Sequence, residues 1–182
     1  MSNSQANPGT DNPATPAPAA ADGLLHTITP EQIAEAIKAA GCAVTLLEQN
    51  GLPMLHSASH GVGFQVLWGN PAATAGQYLD FTLSCPLRVQ EGSLPEGLIA
   101  EWHRARRFAR LVQHGEMISL EMDVMVVGGV GPHYLVTMMQ VWMQMMGQLF
   151  LYLRNYDGKS PVPPVASAGA MVAEQPAHGE AA

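Results

Sequence analysis

Two groups of ionisable residues have types and spacings that could do chemistry. Glu121 and Asp123 stand two apart in the run Leu120-Glu121-Met122-Asp123-Val124. On an extended strand both carboxylates point to one face, with Cα atoms roughly 6.5 to 7 Å apart, a separation found in paired-carboxylate enzymes. Arg104, Arg106, Arg107 and Arg110 fall within seven positions and supply half of the eight basic residues in the chain. Such a patch could dock an acidic partner segment. It could equally pair with Glu101, Glu121 and Asp123 on a solvated face, the more common use of surface charge. A pocket around Arg110, Glu121 and Asp123 is thus the candidate site for a small-ligand sensor or an uncharacterised enzyme.

Other motifs carry less. Gly128-Gly129-Val130-Gly131 lies between a strand pattern and a helix pattern, where backbone amides can hold a phosphate. Counted from Gly129, however, a dinucleotide fingerprint needs glycine where Tyr134 stands, and a phosphate loop needs Lys followed by Ser or Thr. A structural turn is the better reading. His56 and His60 are four apart, but the Ser57-Ala58-Ser59 between them reads as strand end and turn rather than helix, and no third ligand can be named. Cys42 and Cys85 fit no metal or redox spacing, and each sits in an apolar run as a small hydrophobe would. The chain lacks the Gly-x-Ser-x-Gly elbow and the His-Glu-x-x-His motif. No cofactor and no metal is implied.

The elements that must position these residues are well marked. Thr29 is an N-cap, Pro30 the first helical residue, and Gln32 completes a capping box, with Ile28 placed to staple onto Ile33 and Gly41 to end the helix. Residues 43–48 and 53–57 read as a hairpin closed by Asn50-Gly51. Val62, Phe64, Val66 and Trp68 alternate, as do Leu79, Phe81, Leu83 and Cys85, and each set lines one face of a strand. Ser93 and Glu96 form a second capping box, which predicts a helix over residues 94–107. A second hairpin follows. With His114-Gly115 as its turn, Leu111 faces Ile118, and Ala109, Leu111, Ile118, Leu120, Met122 and Val124 share the inner face, leaving Arg110, Glu121 and Asp123 outside.

The last helix, opened by Pro132 and running to about residue 155, holds Met138, Met139, Met143, Met145 and Met146, five of the 11 methionines. No charged residue lies between Asp123 and Arg154, which invites a membrane reading. Thr137, Gln140, Gln144 and Gln148 nevertheless form a polar stripe that a lipid-facing helix has no reason to carry. The helix is therefore expected to pack on a sheet, with no membrane span. Its surplus apolar surface, rich in adaptable methionine, suits a second chain or a client peptide.

The formal net charge of −7, with only eight Lys and Arg, disfavours nucleic acid as a partner. The first twenty residues contain no basic residue and no apolar run, which points to the cytoplasm. Residues 1–23 and 157–182 are too poor in large apolar residues to offset ordering entropy and are expected to be disordered tails around a domain over residues 24–156.

Taken in order, Ile28-Thr29-Pro30-Glu31-Gln32, Gly61-Val62-Gly63-Phe64, Trp102-His103, Arg107-Phe108-Ala109-Arg110, Leu120-Glu121-Met122-Asp123-Val124, Gly128-Gly129-Val130 and Trp142 resemble the YbjN family of bacterial proteins. The most specific part is the Arg-Phe-Ala-Arg strand followed by the Leu-Glu-x-Asp strand and the Gly-Gly-Val turn. His103 stands where the family usually has Asn, and Gln113-His114-Gly115-Glu116 replaces a more acidic turn. The resemblance implies an α+β fold like that of type III secretion chaperones, an antiparallel sheet with helices packed on it, in the order α-β-β-β-β-α-β-β-α. It also implies a regulator of sensory transduction or stress with no established catalysis. The sequence thus reads as a non-enzymatic cytoplasmic binding protein, chaperone-like or a regulatory adaptor. It would form a homodimer or hold a partner through Met138, Met139, Trp142, Met143 and Met146 of the final helix, with Arg106, Arg107 and Arg110 as a second contact.

Overall fold

A computed structural model describes residues 23–49, 51–89 and 94–156. The expected tails therefore lie outside the described residues, apart from Gly23, as do Asn50 and Ser93.

Helix α1 (Pro30–Ala39) starts as the sequence dictates, because Thr29 and Gln32 bond reciprocally: the Thr29 amide donates to the Gln32 side chain at 2.9 Å and the Gln32 amide to Thr29 Oγ1 at 3.4 Å. Ile28 and Ile33 are both fully buried beside this cap, and Gly41 turns the chain away with φ of +93°. Then come β1 (Val44–Gln49), β2 (Leu52–Ser59), β3 (Val62–Trp68), β4 (Asp80–Arg88), α2 (Leu98–Ala105), β5 (Arg110–His114), β6 (Met117–Met125) and α3 (Tyr134–Asn155). The fold is α+β, and the element order is the expected one. All strands pair antiparallel in one open sheet of order β1-β2-β3-β4-β6-β5.

Alternation puts Leu55, Phe64, Val66, Phe81, Leu83, Cys85, Leu111, Leu120, Met122 and Val124 on one face of the sheet. The three helices bury their apolar stripes against these residues in a single core. The other face carries Thr45, Leu47, Leu67, Asp123 and Met125, all exposed. It has no helix over it among the described residues. Aromatic contacts tie the layers together: Phe64 of β3 meets Trp142 of α3 edge to face at 5.7 Å, and Trp68 stacks on Tyr78 at 4.7 Å.

Three expectations need correction. Helix α2 is shorter than residues 94–107. It begins after Gly97, whose φ of +82° cannot continue a right-handed helix, and no side chain caps it. It ends at Ala105, because Arg106 is extended and Phe108, at φ of +71°, turns the chain into β5, while the Trp102 indole donates to the Ala109 carbonyl at 2.9 Å. The second hairpin turns one residue later than expected. His114 pairs with Met117 and Leu111 with Leu120, so Gly115, at φ of +57°, takes the first central position, where a II′ turn favours glycine. Every pair moves by two positions, so the same side chains face inward. Finally, α3 starts at Tyr134, with Pro132 and His133 in the preceding turn.

Helix α3 buries Leu135, Met139, Trp142, Met145, Met146, Leu149 and Tyr152. Thr137, Gln140 and Gln144 are exposed and Gln148 is half-buried, so the polar stripe faces away from the core. Among the described residues no helix is long and apolar enough to cross a membrane.

Candidate functional site

The later hairpin turn sets Arg110 directly opposite Glu121 and two positions from Asp123. Arg110 Nη2 donates to Glu121 Oε2 at 2.9 Å, and both of its terminal nitrogens bond the Asp123 carboxylate. Thr82 Oγ1 of β4 donates to Asp123 Oδ1 at 2.7 Å, and His114 Nε2 lies 3.6 Å from Glu121 Oε1. The Arg110 hydrogen bond holds the Asp123 carboxyl below its usual range, with burial opposing and Thr82 assisting. The same bond raises the Arg110 guanidinium. Side-chain exposure is 44% for Arg110, 59% for Asp123 and 14% for Glu121. Asp123 therefore stays ionised and bound to a cation, and is not poised to carry a proton as a general acid. The group is an ion cluster of one guanidinium and two carboxylates, net charge −1, on the open face of the sheet, where such pairs contribute little.

Arg106 and Arg107 make other contacts. Arg106 lays its guanidinium over the Trp102 ring at 5.7 Å and donates Nη1 to the Ala105 carbonyl at 3.1 Å, leaving its buried Nε without a partner. Arg107 is exposed and lies 5.3 Å over the Phe108 ring. Arg106 and Arg110 border a shallow hollow of about 300 Å³ with His103, Phe108 and Ala109. His103 has a role that its position on α2 did not disclose. Its Nε2 accepts the Leu111 amide at 2.9 Å, a bond that requires Nε2 to be unprotonated. The one sequence signal came from the resemblance, which leads one to expect Asn, another hydrogen-bonding side chain, at this position.

The remaining candidates settle into structural roles. His60, at φ of +54° in the β2–β3 turn, packs edge-on to Phe150 at 6.2 Å and bonds Ser59 Oγ at 2.9 Å through Nδ1. His56 is exposed, and no group of three metal-ligating side chains occurs among the described residues. In the Gly-rich turn a Cβ on Gly129 would lie 2.7 Å from His26 Cε1, so glycine there admits the segment before α1. Cys85 is fully enclosed, and burial pushes its thiol up to about 11. Cys42 Sγ lies 3.1 Å from Met143 Sδ.

The methionine set expected on α3 divides. Met139, Trp142 and Met146 are sealed in the domain's own core, so a partner docked on α3 in this conformation does not touch them. Met138 and Met143 are half-buried at the rim of the core. Near the start of α3 lies a hollow the sequence did not announce. Its apolar floor of about 400 Å³ is formed by Leu25, Ala36, Ala39, Leu135 and Val136, with Glu31 and Glu35 on its border. Small Ala36 and Ala39 on α1 leave this space.

Fold and site together define an α+β domain with a one-sided helical layer, whose Arg110 is paired with two carboxylates on the open face and which leaves, among the described residues, an apolar hollow between helices. Residues 29–155 match the model of the YbjN family, described as a "putative bacterial sensory transduction regulator", and the chain belongs to this family. A comparison with curated proteins finds no match.

Proposed function

We propose that this protein is a non-enzymatic, cytoplasmic regulatory adaptor that acts by protein contacts, either with a second copy of itself or with a held partner segment. The observation that carries this reading is the apolar hollow between α1 and the first turns of α3, which is uncovered among the described residues, whereas Arg110 on the open face of the sheet is already paired. An apolar side chain of the partner seats between Ala36 and Val136, and the half-buried Met138 and Met143 supply adaptable contacts on the same helix. Arg106 and Arg107, outside the Arg110 cluster, form a second contact for an acidic segment. The family's regulatory description supports a binding role. The alternative, a ligand or catalytic pocket around Arg110, Glu121 and Asp123, gains nothing from the geometry, since Arg110 is already paired with both carboxylates on an open face.

Light scattering after size exclusion, together with affinity capture from the native host, tests the proposal. Self-association or a captured partner is expected for the parent protein, and Val136→Asp should weaken it at least tenfold without altering the circular dichroism spectrum. A parent that is monomeric at all concentrations and captures nothing, or a Val136→Asp variant that behaves as the parent does, refutes it.

A further inference from the structure

The sheet treats its two edges differently. Strand β5 is five residues long; the Leu111 amide is occupied by His103, and Arg110 places a charge on it. Short length, charge and covered amides are the usual protections of an edge. Strand β1, at the other edge, pairs among the described residues only with β2, and every residue from 45 to 49 is exposed. Leu46 is 47% and Leu47 55% exposed, and alternation puts them on opposite faces. Strand β1 contains neither Lys nor Pro. Its outer row of backbone donors and acceptors, open to water, is a ready template for another extended chain.

Beside this edge is a hollow of about 410 Å³ bordered by Glu31, Glu48, Leu46, Leu47, Gly51 and Pro53. Glu48 has no ion-pair partner among the described residues. Glu31, in the first turn of α1, takes hydrogen bonds from its own amide and from Thr29 that favour its charged form. The charge of the hollow selects among occupants. A second copy would bring the same two carboxylates, residues 1–22 contain no Lys or Arg, and residues 157–182 contain Lys159 alone. We infer that the β1 edge, Val44–Gln49, is a strand-docking site for an extended segment of another protein that alternates aliphatic residues with Lys or Arg, its cations meeting Glu31 and Glu48. The inference goes beyond the function proposed above; the two hollows share only Glu31 at their borders, so Val136→Asp and substitutions at Leu47 and Glu48 report on the two separately.

The test uses the full chain and a labelled octapeptide of alternating Lys and Val, with alternating Glu and Val as the control. Fluorescence anisotropy reads binding, and amide hydrogen exchange followed by NMR reads the outward amides of β1. The Lys-Val peptide is expected to bind at least tenfold more tightly than the Glu-Val peptide and to slow exchange in β1. Glu48→Lys and the exposed Leu47→Lys should each weaken it at least tenfold with no change in melting temperature, whereas Val136→Asp should leave it unchanged. Three results overturn the proposal: no binding of the Lys-Val peptide, equal binding of both peptides, or outward β1 amides already protected without peptide, which would mean that the chain's own tail or a second copy holds the edge.

Discussion

Replacing Met139 with alanine should destabilise the domain far more than the same change at Met138, its neighbour in the chain. Met139 is buried against the sheet and Met138 only half-buried. Truncating a buried methionine removes its transfer free energy and leaves a cavity, a loss of about 2 to 5 kcal/mol, and the enclosed Trp142 would lose about 3 to 5 kcal/mol by the same arithmetic. For a loss of about 3 kcal/mol and a domain of this length, at roughly 3 to 5 °C per kcal/mol, the melting temperature should fall by roughly 9 to 15 °C. That is a large share of a total stability of about 5 to 15 kcal/mol. Met138→Ala should cost about 1 kcal/mol or less, and Met139→Leu, which nearly conserves volume, under about 1.5 kcal/mol. Thermal and urea unfolding followed by circular dichroism measure these losses, and light scattering on the same samples reads association. If Met139→Ala melts with the parent but abolishes self-association or partner capture, then Met139 is an interface residue and its place in the core is refuted.

Other expectations follow from single contacts. Because Arg110 lowers the Asp123 pKa on folding, the contribution of that pair is present above the ordinary aspartate range and is lost as pH falls through the lowered folded value. Both side chains are well over a third exposed, so the effect should stay below about 1 kcal/mol. The urea midpoint should accordingly drop less between pH 7 and pH 3 in Arg110→Ala than in the parent, and equal drops would contradict the pairing. Tyr152→Phe should cost about 1 to 3 kcal/mol, because the phenol donates to the Leu98 carbonyl at 2.7 Å in a buried site. Burial first, and then Glu101, pushes that phenol up to about 12, so an ultraviolet titration finding every tyrosine near 10 in the native protein would count against the contact. Ellman's reagent should modify Cys42 and spare Cys85 until the chain unfolds, and two fast thiols in the native state would contradict the burial of Cys85. Phe108→Gly should stabilise the domain by roughly 0.5 to 1 kcal/mol by relieving a positive φ at an exposed residue, and a loss on thermal melting would show that its contact with Arg107 matters more.

The amino-acid order by itself determined whatever depends on local geometry. The reciprocal Thr29–Gln32 cap needs three residues of helix and nothing else. Alternation along β3, β4 and β6 chose the inward face, and that choice survived a hairpin closing one residue late, because side chains on a strand repeat every two residues. The polar stripe of α3 was likewise legible from helical period alone. What only the tertiary structure decided is anything that depends on which residues come face to face from distant parts of the chain. The register of β5 on β6 turned a possible acid pair into an ion cluster, and the positive φ of Gly97 overrode the expected start of α2. The layers beneath α3 enclosed Met139, Trp142 and Met146 while leaving Met138 and Met143 at the rim, a division that no spacing within the helix specifies. His103 on Leu111 and the apolar hollow between α1 and α3 belong to the same class, because each arises where separate elements meet and the free energy of packing, not local propensity, sets their distance.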